Sequence, residues 1–186
     1  NGARATCADG NDYGHKSNGP LRGQKADIWD GGHREPFVAR WPGHIPAGTT
    51  RNDPVCLSDM MATIAAVVDF PLPDECAEDS FNILPVLTGK AMEFPVRDAI
   101  IHHSGDGMFS VRQGEWKLIL GLGSGGFTEP KHLDPEPGGP AGQLYNLEQD
   151  LDEACNLWLA RPDIVEWMTA LLLDIQKRGH SRPLLA

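Results

Sequence analysis

The chain has 186 residues and 20.2 kDa, with 16 Lys and Arg against 26 Asp and Glu, a formal charge of −10 and a sequence pI near 5.0. A hydrophobic content of 40% and a charged content of 23% exclude disordered, collagen-like and coiled-coil chains. The acidic balance excludes a binder of nucleic-acid backbone, and the longest aliphatic run, Ala170 to Leu173, is far too short to span a bilayer.

The chain opens on Asn1-Gly2-Ala3-Arg4, without Met or a charged-then-apolar secretory segment, and is expected to be a piece of a longer protein. Residues 1–35 are rich in Gly, Asn, Asp and His and read as a long surface loop. Pro36 to Trp41 is a short apolar run stopped by Pro42-Gly43, which predicts a buried strand and a turn. Ser58-Asp59 then open a helix carrying Met61, Ile64, Ala65 and Val68 at helical spacing, with Ser58 as the expected cap. A short helix is predicted from Asn82 to Thr88, with Pro85 in its first turn and Gly89 closing it.

The texture changes near Pro95. Ala99 to His103, Met108 to Gln113 and Glu115 to Leu120 predict three strands, the last two joined tightly at Gln113-Gly114. Residues 121–142 are too rich in Gly and Pro for regular structure, and Leu144 to Leu147 supply a fourth strand. From Pro162 an amphipathic helix gathers Ile164, Trp167, Met168, Leu171, Leu172 and Ile175 on one face; Lys177 and Arg178 suit its negative end and Gly179 stops it.

Several residues invite chemical readings. Cys7, Cys56, Cys76 and Cys155 contain no CxxC pair, so a zinc ribbon is unsupported and two disulfides or four thiols stay open. Gly121 to Gly126 match G-x-G-x-x-G after a strand, but Phe127-Thr128-Glu129-Pro130 cannot open the helix a phosphate loop needs; a flexible loop is expected. Asp27, Asp30 and His33 would align on a helix, yet Gly31-Gly32 makes that helix improbable, leaving solvated acids or local hydrogen-bond formers. His102 and His103 end a strand and face opposite sides, so at most one points at a given site. Lys25, on composition alone, is a surface lysine.

A larger pattern is more specific. Gly19-Pro20-Leu21-Arg22 with Lys25, then Asp30-Gly31-Gly32-His33-Arg34-Glu35-Pro36, then Trp41-Pro42-Gly43, closely resembles the G-P-L-R-x-x-K, E-G-G-x-R-x-P and W-P-G motifs of type I sulfatases, the arylsulfatase family. Similarity continues, in the family's order, through Ser58-Asp59-Met60, Phe81 to Pro85 with Gly89-Lys90, Arg112-Gln113-Gly114-Glu115-Trp116-Lys117-Leu118, and Leu144-Tyr145-Asn146-Leu147 with Asp150, Glu153 and Asn156-Leu157. Asp30 replaces the usual Glu, and Leu151 stands where the family has Pro.

The resemblance implies an alkaline-phosphatase-like α/β fold, here α+β: residues 1–95 as the end of the catalytic domain, and 96–186 as a subdomain of antiparallel sheet packed on a long helix. It implies a C-terminal part of a sulfuric ester hydrolase. The C-x-P-S-R signature whose Cys becomes formylglycine is absent from this sequence, so the chain alone is expected to be inactive. Lys25 aligns with the family's sulfate-binding lysine, and Asn1-Gly2 with the end of S-D-N-G, which would make Asn1 a Ca²⁺ ligand. Arg34 is given a structural, ion-pairing role, and His102 or His103 that of substrate-selecting residue. The implied partner is a sulfated small molecule or glycan, in a secreted or periplasmic setting. Self-association, or lower order in 1–95 than in 96–186, would follow from an incomplete α/β domain. A superfamily phosphatase or phosphodiesterase, and a non-catalytic glycan-binding domain, are the alternatives.

Overall fold

A computed structural model describes residues 2–3, 15–90 and 95–183. Two compact units form, and both are discontinuous in sequence: Asn1–Pro36 with Ile101–Leu172, and Phe37–Ile100 with Leu173–Ala186.

The first unit is organised by an antiparallel meander of β1 (Ile100–His103), β2 (Phe109–Gln113), β3 (Trp116–Ile119) and β4 (Gln143–Asn146), in that spatial order. Gln113 pairs with Trp116 and Arg112 with Lys117, so Gly114-Glu115 form the turn. Gly114 takes a φ of +57°, which glycine reaches without steric cost. Across the other side of β3, Lys117 faces Tyr145 and Leu118 faces Leu144. The four strands fall within a residue or two of the sequence reading. Val111, Leu118, Ile119 and Leu144 are fully buried, and Ile28, Trp29, Met108, Ile119, Tyr145 and Leu147 make one apolar cluster.

The loop of residues 121–126, expected to be flexible, packs closely against the 24–28 turn. Gly123 to Gly126 are buried, and a Cβ on Gly126 would lie 2.4 Å from the Ala26 carbonyl oxygen. The glycines allow backbone to approach backbone, which is their physical use here.

In the second unit, a 3-10 turn at Leu57–Asp59 runs into α1 (Met60–Val67), and α2 (Leu84–Leu87) follows with Pro85 in its first turn. Ser58 does not cap α1; its hydroxyl donates to the Asp79 carbonyl. Asp59 organises the corner instead, accepting from the Cys56 and Phe81 amides at 2.7 and 3.0 Å and from the Arg97 guanidinium. The buried residues of α1 are therefore Thr63 and Ala65, while Met61, Ile64 and Val68 are exposed. The expected strand at Pro36 to Trp41 is absent: residues 34–41 carry no strand pairing among the described residues, and Val38 is 91% exposed. An apolar run becomes a strand only where a neighbour accepts its hydrogen bonds.

The C-terminal helix α3 (Pro162–Arg178) keeps its predicted limits, with Asp163 in the first turn and Lys177 and Arg178 in the last. Met168 and Leu172 are completely buried, whereas Trp167, expected on the same face, is 45% exposed.

Candidate functional site

Lys25 sits in a tight turn between Gln24 and Asp27, with Ala26 in the left-handed region at φ +77°. Its amide donates to the Ala3 carbonyl at 3.2 Å, and the Gly2 amide donates to the Gly32 carbonyl at 2.8 Å. The segment at residues 2–3 thus lies against both the lysine turn and the Asp30–Gly32 3-10 turn. A Cβ on Gly2 would collide with the Gly31 oxygen at 1.7 Å, so only glycine fits there. Asn1, the expected metal ligand, lies outside the described residues. Lys25 itself is exposed, and its ammonium has no ion pair among the described residues. A lysine with no ion pair among the described residues of an acidic chain is available to an anion.

The turn below Lys25 is anchored by Asp27. This carboxylate is fully buried and accepts from the Gln24 amide at 2.9 Å, the Phe127 and Thr128 amides at 2.7 and 3.0 Å, and the Thr128 hydroxyl at 2.5 Å. Asp27 is neither solvated nor merely local: most of its partners are a hundred residues away.

Asp30 is also buried, and it forms the centre of an ionic cluster that sequence reading missed. Its Oδ1 accepts from Lys117 at 2.7 Å, and Lys117 also lies 2.8 Å from Glu153 Oε1. Glu153 Oε2 accepts from the Asp30 amide at 2.6 Å. The exposed Arg34 reaches Asp30 Oδ2 at 3.8 Å, an ion-pairing role of the kind expected for it. Burial pushes the Asp30 carboxyl up, but Lys117, Arg112 and Arg34 outweigh it and hold the pKa below the usual value. Glu153 goes the other way: burial, aided by Asp30, raises its pKa against the pull of Lys117. Lys117 sits mid-strand among apolar residues, and a lysine there was the available signal, because a fully buried lysine needs a carboxylate.

His102 and His103 do face opposite ways. His103 is exposed, its Nδ1 2.9 Å from the Ser104 carbonyl. His102 is partly buried and stacks on His33, with ring centroids 4.5 Å apart. Desolvation, with added repulsion from Lys117, lowers His33 to about 4 and His102 to about 3, so both rings are neutral at pH 7. Among the described residues, no group of three or more His, Cys, Asp or Glu is arranged to hold a metal ion. Among them too, Cys56, Cys76 and Cys155 are free thiols.

No protein-family profile matches the chain. Comparison with curated proteins finds an N-acetylgalactosamine-6-O-sulfatase of Bacteroides thetaiotaomicron, 28% identical over 169 residues, covering 89% of this chain and 32% of that protein. Mouse arylsulfatase G is 27% identical over 161 residues, covering 81% of this chain and 30% of its own length. Human N-acetylgalactosamine-6-sulfatase is 34% identical over 102 residues, 54% of this chain and 19% of its own. Among solved structures, one from work on glycosaminoglycan metabolism by Bacteroides thetaiotaomicron superposes with a TM-score of 0.74 at 27% identity, covering 89% of this chain and 34% of the other. A Pseudoalteromonas sulfatase shares the fold, with a TM-score of 0.62 at 23% identity.

The fold is therefore alkaline-phosphatase-like. The curated relatives named above are sulfatases, and the chain spans between about a fifth and a third of their length.

Proposed function

We propose that the chain is the C-terminal part of a sulfatase that hydrolyses sulfate esters, and that Lys25 binds the sulfate. The observation that carries the reading is the joining of residues 2–3, the Lys25 turn and the Asp30–Gly32 turn by backbone hydrogen bonds, with the lysine exposed and without an ion pair among the described residues. The similarity to sulfatases over 89% of the chain supports it.

On this reading the ammonium of Lys25 meets a sulfate oxygen, neutralises part of its charge, and offsets the negative charge that builds on the leaving side of the ester. The buried Asp27 and the left-handed Ala26 hold the lysine's backbone fixed, so little reorganisation is required as charge develops. On the same reading Asn1 would be among the residues that hold a Ca²⁺ ion, which would supply positive charge at the sulfate, and the nucleophile would be a formylglycine upstream of this chain. The isolated chain is inactive because its own residues offer no such nucleophile. The substrate is a sulfated sugar of the hexosamine class, as the names of two relatives suggest, and the setting is secreted or periplasmic.

The reading frame upstream of the Asn1 codon tests this. The proposal expects C-x-P-S-R or C-x-P-A-R in frame and Asp immediately before Asn1. A Ser or Thr at the nucleophile position, with zinc-type ligands, moves the chemistry to phosphate esters. A start codon close to Asn1 leaves a binding domain in place of an enzyme.

A further inference from the structure

The residues that bracket Lys25 and Ala26 are both tied to Thr128, which stands 101 residues beyond Asp27 in the chain. The Thr128 hydroxyl donates to Asp27 Oδ2 at 2.5 Å and accepts from the side-chain amide of Gln24 at 3.2 Å. Asp27 Oδ2 also accepts from the Gln24 backbone amide at 2.9 Å, and the Asp27 amide donates to the Gln24 carbonyl at 2.9 Å. One hydroxyl therefore closes a ring of hydrogen bonds across the base of the lysine turn. Thr128 is itself held in place. Its amide donates to Asp27 Oδ1 at 3.0 Å, and its carbonyl accepts from the Ser124 hydroxyl. The Ile28 amide donates to the Ser124 carbonyl at 2.8 Å, so the start of this loop is pinned to the end of the turn.

The hydroxyl is more than the carboxylate needs. Without it, Asp27 still accepts from the backbone amides of Gln24, Phe127 and Thr128, so the buried charge keeps three donors. What the hydroxyl adds is the link from that carboxylate to the Gln24 side chain, on the other side of Lys25. The link has a strained backbone to hold: Ala26, next to Lys25, lies at φ +77°, a left-handed conformation that an alanine leaves once it is released. We propose that Thr128 is a positioning residue for Lys25: its hydroxyl fixes the backbone from which the ammonium reaches the sulfate. The inference rests on the reading of Lys25 as the sulfate-binding residue, and it adds to that site a residue from the second half of the chain. Thr128 does no chemistry; it acts through Gln24 and Asp27.

The test is a double-mutant cycle in the complete enzyme, reading kcat/KM for N-acetylgalactosamine 6-sulfate in wild type, Thr128→Val, Lys25→Ala and the pair. Valine keeps the branched shape and removes both bonds of the hydroxyl. Thr128→Val is expected to lower kcat/KM about tenfold, and to have no effect where Lys25 has already been replaced. Thr128→Ser keeps the hydroxyl and is expected to retain most of the wild-type value. Gln24→Met removes the 3.2 Å bond alone and is expected to lower kcat/KM about threefold, again only while Lys25 is present; it carries the test if Thr128→Val fails to fold. An equal fall with and without Lys25 makes Thr128 purely structural and overturns the proposal, as does a Thr128→Val enzyme equal to wild type. A Thr128→Ser enzyme as poor as Thr128→Val assigns the effect to the methyl group and overturns it too. Each of these leaves the sulfate reading standing. A Lys25→Ala enzyme as active as wild type removes the sulfate reading, and the proposal with it.

Discussion

Replacing Lys117 by Met removes the one cation among the described residues that touches both Asp30 and Glu153, and the structure allows the consequence to be worked out. The lysine side chain is 1% exposed, and the two carboxylates are 7% and 0% exposed. Methionine fills a similar volume, so the cavity contribution is small and the effect is electrostatic. Asp30 keeps Arg34 at 3.8 Å and Arg112 at 4.0 Å, whereas Glu153 keeps, among the described residues, the Asp30 amide at 2.6 Å. Breaking a buried pair from one side costs about 3–5 kcal/mol, which in a chain of this size lowers the midpoint by roughly 6–20 °C.

The deficit also depends on pH in a definite direction. The Glu153 pKa is already raised by burial, and loss of Lys117 raises it further above the unfolded value of about 4.3. A carboxyl raised in the folded state contributes stability that is present below the unfolded pKa and lost as pH rises through the folded pKa. The difference between Lys117→Met and wild type, from urea melts, is therefore larger at about pH 8 than at about pH 5. A loss below about 1 kcal/mol, the value of a solvated surface pair, or a deficit that grows on acidification, would refute the reasoning.

The stacked histidines give a second pH effect. With His33 and His102 depressed to about 4 and about 3, their stabilisation is complete above the unfolded value of about 6.5 and is lost as pH falls toward those values. His102→Phe should lose less stability than wild type between pH 7.5 and 5 in urea melts; equal losses contradict the assignment. Gly126→Ala places a methyl against the Ala26 carbonyl and should cost about 1–3 kcal/mol in thermal melts, whereas Gly105→Ala, whose Cβ would lie at 3.1 Å from a methyl, should cost less. In the second unit, Arg97→Met leaves the fully buried Asp59 without its guanidinium and should destabilise by about 3–5 kcal/mol; partial restoration by Asp59→Asn in the double variant, which keeps an acceptor at that position, would mark the cost as that of an unpaired charge.

The elements governed by local rules were legible in the sequence. The strands showed themselves through apolar and β-branched runs, and the turn at Gly114 through its glycine. Helix α3 announced itself by its periodicity and by charges at each end. Long-range partnerships were hidden. Asp27 and Asp30, spaced like surface acids, are buried because Thr128 and Lys117, about a hundred and 87 residues further along the chain, come to meet them. Helix α1 was found, but of its expected apolar face only Ala65 is buried, and Asp59 and Thr63 make the hydrogen bonds that organise the corner. For the site, Lys25 stood out only through its motif; composition made it an ordinary lysine.

The most direct measurement of the central claim is sulfate release from N-acetylgalactosamine 6-sulfate by the complete protein, with phosphate release from the matching phosphate ester as the control, for wild type and Lys25→Ala. The account predicts release of sulfate and not phosphate by the wild type, and a fall of about a hundredfold or more in kcat/KM for Lys25→Ala, the size typical of losing one preorganised group that stabilises developing charge. Faster release of phosphate than of sulfate, or a Lys25→Ala enzyme as active as wild type, would contradict it.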